Sequence, residues 1–169
     1  MSRIDPPKRP PFWLRGLLAF ARWQYGRDMR PLQLAAHAPG LVLPFLMTNR
    51  FGHGRVALPA DTRLLAMLLV AERNGCDWCI DFGRSLTSGA LRDKAVHVTA
   101  YDQRPDFSPA ERAALRYADE ATRSPVAVSD ATFATLREHC DERQIVELTF
   151  AVAAEGFCAL APVANAAAA

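Results

Sequence analysis

Apolar residues in this chain recur at three- and four-residue steps, and prolines and glycines cut the pattern into helix-length segments. From Phe12 to Tyr25, the positions Leu14, Leu17, Leu18 and Ala21 share one helical face behind Pro10-Pro11. A short helix is expected near Leu32 to His37, closed by Pro39-Gly40. Another is expected over Leu41 to Phe51, with Pro44 in its first turn, where proline is tolerated. Asp61 is placed to cap a long buried helix that reaches Asn74, and Gly75 stops it. The next helix starts at Cys76 or Asp77 and runs to about Thr87. Ser88-Gly89 breaks it, and a modest helix follows over Leu91 to Val98.

Ser108-Pro109-Ala110-Glu111 is a helix start with every part in place. The serine caps, the proline takes the first position, and the glutamate closes a capping box. That helix ends before Ser124-Pro125. Ser129 opens a further one, and Asp141 opens a last long helix through Phe150 to about Cys158. Period-two alternation is scarce, and no Asn-Gly or Asp-Gly turn joins two β-rich runs, so no sheet is expected. The predicted fold is all-α, a bundle of eight or nine helices. A flexible proline-rich arm over residues 1–11 leads into a single domain over 12–169.

Composition narrows the function. Half of the 169 residues are hydrophobic and 22% are charged, a mix that can fill the core of one domain. A net charge of +2 is too balanced to imply nucleic acid as a partner. The longest strongly apolar block, Leu64 to Ala71, falls far short of the ~20 residues that cross a bilayer. Arg15 and Arg22 interrupt the apolar run after the arm, which argues against a signal peptide and for a cytoplasmic protein.

Four cysteines are present, two close together at Cys76 and Cys79 and two scattered at Cys140 and Cys158. That suits a reducing compartment with one thiol site better than a secreted disulfide scaffold. Cysteines three apart on one helical turn can bridge at little backbone cost. Gly75 lets the chain turn so that the pair falls on a new helix's first turn, where free N–H groups and the helix dipole favour a thiolate. These are the needs of a dithiol–disulfide catalyst. The competing reading is a pair of inert buried cysteines that pack as small hydrophobes. Zinc needs about four ligands, and only His139-Cys140 could complete a set, so no metal is expected. A c-type haem needs histidine after the second cysteine, and Ile80 stands there, so no cofactor is expected.

The segment Asn74-Gly75-Cys76-Asp77-Trp78-Cys79-Ile80-Asp81 resembles that of the carboxymuconolactone decarboxylase and AhpD-like alkylhydroperoxidase superfamily. The apolar helix before it fits the same pattern. So do Phe107 to Leu115, Val128-Ser129-Asp130 and Ile145 to Thr149, and the resemblance covers most of the chain after Pro39. It implies an AhpD-like helical bundle, assembly into homo-oligomers of three or more copies, and a dithiol that reduces peroxide. It assigns attack to Cys79 and resolution of the sulfenic acid to Cys76, with a dithiol reductant to restore the pair.

Two positions depart from that pattern. The peroxidase branch has a histidine four residues after the second cysteine, where this chain has Gly83, and a glutamate twelve residues before the first, where it has Leu64. The candidate replacements are Glu72, Asp81 and Glu147. Glu147 stands among Ile145, Val146 and Leu148, where a carboxylate should be paired or functional. His37, His53 and His97 fall at helix ends or loops and read as capping or surface groups. Trp78 and Phe82 flank the pair and can wall an apolar pocket or pack as core. Three functional readings remain: an AhpD-like peroxide reductase, a non-enzymatic redox sensor or structural oligomer, and a decarboxylase-like lyase. The lyase fits worst, because that branch generally relies on a histidine without the cysteine pair.

Overall fold

The computed structural model describes the backbone of residues 4–53 and 56–159, and the side chains of 4–50 and 56–157. Among the described residues there are nine α-helices and no strand, which matches the all-α expectation. They are α1 (Phe12–Tyr25), α2 (Arg30–Ala35), α3 (Val42–His53), α4 (Ala60–Arg73), α5 (Asp77–Ser85), α6 (Gly89–Val96), α7 (Pro109–Ala121), α8 (Asp130–His139) and α9 (Glu142–Ala159). Short 3₁₀ turns cover Pro39–Leu41 and Val98–Ala100.

The local signals act through their expected chemistry at α7 and α8. Ser108 accepts from the Glu111 amide and Glu111 accepts from the Ser108 amide, so the capping box is complete. Ser129 caps α8 by accepting from the Thr132 amide. Asp61 behaves otherwise than expected. The helix begins two residues earlier with Pro59 as its cap, so Asp61 lies within the first turn, where its charge still complements the dipole but caps nothing. Gly89 also differs, since it opens α6 rather than separating two helices.

The core organises around α4, which packs against α5, α7 and α9. Leu65 and Leu69 of α4 meet Leu115 of α7, Leu136 of α8 and Leu148 of α9, all with essentially no solvent exposure. Truncating any one of them to alanine should cost about 2–5 kcal/mol, because such a packed site closes only partly over the void. A second cluster joins Leu14 of α1, Leu32 of α2 and Phe45 of α3 to Phe82 of α5. Helix α5 therefore sits between the two clusters, with Cys76 as its N-cap and Cys79 on its first turn. No helix among the described residues is long and apolar enough to cross a membrane.

Candidate active site

The junction of α4 and α5 is built by the backbone. Gly75 adopts φ +62°, a left-handed conformation that costs other residues more. The Cys76 amide donates to the Ala71 carbonyl and the Gly75 amide donates to the Glu72 carbonyl. This double closure is a Schellman motif, and its usual apolar contact is present, because Ala71 and Cys76 pack in one small cluster with Cys79. Cys76 thus ends one helix and caps the next. It is wholly buried and held by its own backbone.

Cys79 follows three residues later, on the first turn of α5. The two are joined as a disulfide with a Cα–Cα distance of 5.3 Å. Cys140 is free and half-buried at the end of α8, and burial, then the nearby Asp141 charge, pushes its thiol up. The side chains of Cys158 and His53 lie outside the described residues.

A cavity of about 300 Å³ opens beside the pair, and Cys79 forms part of its wall while Cys76 does not. Trp78 and Phe82 line it with stacked rings 4.9 Å apart, so both contribute to the pocket wall as well as to packing. The Trp78 indole donates to the Asp28 carbonyl at 3.2 Å and the Phe82 ring meets Tyr25 edge-on, which fixes that wall. Leu64 and Gly83, the two positions of departure, also line the cavity.

The proposed carboxylates are placed apart from it. Glu72 bonds Arg84 at 2.6 Å and ties α4 to α5. Asp81 is exposed. Glu147 accepts from the Leu58 amide at 2.8 Å and from Arg143 at 3.0 Å. Burial opposes its charge, but those donors outweigh burial and hold its carboxyl below the usual range. None of the three lines the cavity. His37 Nε2 donates to the Asp5 carbonyl, and His97 Nδ1 donates to the Asp93 carbonyl at the end of α6.

Two ionisable groups that periodicity did not single out do line it: Arg63 of α4 and Glu155 of α9, each more than nine-tenths buried. Arg63 Nη1 and Glu155 Oε1 have no hydrogen-bond partner among the described residues. Burial lowers the Arg63 pKa while the Glu147 charge opposes the shift, and the group stays a cation. Burial alone pushes the Glu155 carboxyl up to about 7. One signal was available in the sequence, a lone glutamate among small apolar residues in the last helix. Among the described residues no cluster of histidine, cysteine and carboxylate side chains could hold a metal ion.

The described residues thus form an all-helical bundle with a Cys-x-x-Cys pair at a helix start, beside a mostly apolar cavity that also holds Arg63 and Glu155. Residues 42–120 match the carboxymuconolactone decarboxylase family. YnjA of Escherichia coli (strain K12) is 29% identical over 152 residues, covering 88% of this chain and 80% of that protein. An alkylhydroperoxidase AhpD core structure, a peroxidase-related protein from Ralstonia eutropha JMP134, superposes with a TM-score of 0.78. It is 20% identical, over 94% of this chain and 87% of that one. The debrominase Bmp8 in complex with 2,3,4-tribromopyrrole superposes with a TM-score of 0.77 at 16% identity, over 95% and 89% of the two chains. Residues 42–120 therefore carry the pattern of the carboxymuconolactone decarboxylase family, and the helical bundle around them has the AhpD-like fold.

Proposed function

We propose that this protein is a thiol–disulfide oxidoreductase that reduces small organic hydroperoxides, with Cys79 attacking and Cys76 resolving. The observation that carries this reading is the asymmetry of the pair: Cys79 is on the cavity wall, and Cys76 is buried behind it. Substrate therefore reaches one sulfur, and the other is within bonding reach of it. Helix α5 supports the chemistry, because the free N–H groups of its first turn stabilise a thiolate at Cys79. The aromatic and aliphatic wall favours an organic hydroperoxide over hydrogen peroxide, since apolar surface is what the cavity can bury.

The thiolate sulfur of Cys79 takes the terminal oxygen of the hydroperoxide. The S–O bond forms, the O–O bond breaks, and an alcohol leaves once its oxygen is protonated. The Cys76 thiol then displaces water from the sulfenic acid and forms the disulfide. A small dithiol reductant returns both thiols by exchange. Such a cycle fits a reducing compartment, and we place the protein in the cytoplasm. The similarity to an AhpD core structure supports the reading at the level of fold.

A second reading follows from the stacked Trp78 and Phe82 rings, a flat wall suited to a planar ring, together with the shared fold of a debrominase. The test is consumption of cumene hydroperoxide by micromolar protein with excess dithiothreitol, beside a parallel arm with 2,3,4-tribromopyrrole. Many turnovers of hydroperoxide are expected. Oxidation that stops at one equivalent per pair would favour the redox-sensor role, turnover of the bromopyrrole alone would favour dehalogenation, and no oxidation of the pair would overturn the proposal.

A further inference from the structure

The Cys79 cavity needs a proton at two moments. The thiol must lose one before it attacks, and the departing oxygen must gain one as the O–O bond breaks. The positions at which the resemblance places a relay carry Leu64 and Gly83, which hold no transferable proton. The wall does carry a carboxyl, from Glu155 on α9. Glu155 is 8% exposed, and its Oε1 has no hydrogen-bond partner among the described residues. A polar atom buried without a partner is costly and calls for a reason.

We propose that Glu155 is the proton-transfer residue of the Cys79 cavity, taking the thiol proton and delivering it to the oxygen that leaves. The inference rests on the hydroperoxide reading given above. The ionised carboxyl accepts the proton of the Cys79 thiol. The thiolate attacks, the S–O bond forms and the O–O bond breaks, and sulfur is oxidised by two electrons as the hydroperoxide is reduced. The alkoxide takes the proton from Glu155, which is left ionised for the next turnover.

The surroundings of Glu155 suit this exchange. Besides Cys79, the titratable or charged group that shares the cavity wall among the described residues is Arg63 of α4. Helix α3 presents Asn49 to it, and α5 presents no carboxylate. Helix α7 meets α9 through Tyr117, whose hydroxyl pairs with Thr149, and α8 and α9 are bridged by Arg137 and Glu142. On α9 itself, Glu147 is taken by Arg143 and Leu58. No charge among these shifts Glu155, and burial alone raises its pKa to about 7, so both protonation states are populated near neutral pH.

The experiment compares reduced wild type with Glu155→Gln and Glu155→Asp between pH 5 and 9. One arm measures oxidation of the pair by cumene hydroperoxide. The other measures alkylation of Cys79 by iodoacetamide, which needs a thiolate but no proton for a leaving alkoxide. Glu155→Gln should slow the hydroperoxide arm about 10²-fold at pH 7 and erase its inflection near pH 7, the scale of a lost general acid–base group. Its alkylation rate at pH 9 should stay within about 2-fold of wild type, and Glu155→Asp should keep an inflection. Superimposable pH profiles for wild type and Glu155→Gln would overturn the proposal while leaving the hydroperoxide reading intact. An equal loss in both arms at pH 9 would also overturn it, since that is a structural role. Should wild type fail to react with the hydroperoxide, that reading falls, and the alkylation profiles decide. A thiol titration that loses its inflection near pH 7 in Glu155→Gln would then support coupling of Glu155 to Cys79, and an unchanged one would end it.

Discussion

Gly83 lies so close to Leu68 that a β-carbon on it would sit 2.5 Å from Leu68 Cδ2 and 3.0 Å from Leu68 Cγ. Leu68 is 2% exposed and lines the Cys79 cavity, so a β-carbon at position 83 would push its side chain toward that space. The absent side chain leaves room for Leu68 of α4 against α5.

The first prediction concerns that contact. Gly83→His, which would restore a relay histidine by analogy, should destabilise the fold by about 1–3 kcal/mol through overpacking. Leu68→Ala alone should cost about 2–5 kcal/mol by opening a void. Combined, the two should cost less than their sum, because the imidazole fills the space that the leucine leaves. Urea unfolding of the four proteins measures this, and strictly additive costs would show that the contact is not the cause.

Glu155 should leave a mark on stability as well as on reactivity. Its carboxyl is raised in the folded protein from the ordinary 4.5 to about 7. The unfolded chain therefore gives up its proton first. The associated stability is fully present in acid, below about 4.5, and is lost as pH rises through about 7. At about 1.4 kcal/mol per pH unit the loss amounts to about 3 kcal/mol. Glu155→Gln carries no such titration, so its stability relative to wild type should improve between pH 5 and pH 8. Denaturant midpoints at those two pH values test the sign, and a difference that does not change with pH would refute it.

Assembly should hide an unusual set of side chains. On α1, Phe12 is 85% exposed and Trp23 80%, and on α3 Met47 and Leu43 are exposed too. Singly exposed apolar residues are ordinary, but aromatic groups along one helix of a basic amphipathic face mark a contact surface. We expect a homo-oligomer of three or more copies at micromolar concentration by light scattering, with Trp23→Lys shifting the mass downward. A monomer mass for wild type would refute this.

Much of the fold was legible because the signals were local. Ser108 and Glu111 need only each other to start α7, and the spacing of Leu14, Leu17, Leu18 and Ala21 suffices to place α1 from Phe12 to Tyr25. The cysteine pair was legible for the same reason, since Gly75 and the three-residue spacing determine the turn. The cavity was not. Arg63 and Glu155 are 92 positions apart in number but meet one space through the packing of α4 on α9, which no periodicity reports. Glu147 drew attention by standing among apolar neighbours, yet its carboxylate serves the Leu58 amide and Arg143, while the less conspicuous Glu155 takes the unpartnered place. A buried carboxylate can be recognised in a sequence, but whether it is satisfied depends on chain segments far from it.

The pair of single-cysteine variants tests the assignment of roles most directly. Cys76→Ser and Cys79→Ser are each reduced, exposed to cumene hydroperoxide, and then treated with a sulfenic-acid trap that is read by mass spectrometry. Cys76→Ser should accumulate trapped sulfenic acid at Cys79, because the attacking sulfur remains on the cavity wall and the resolving one is gone. Cys79→Ser should accumulate little, because Cys76 is buried out of reach. Trapping at Cys76 in place of Cys79 would contradict the account.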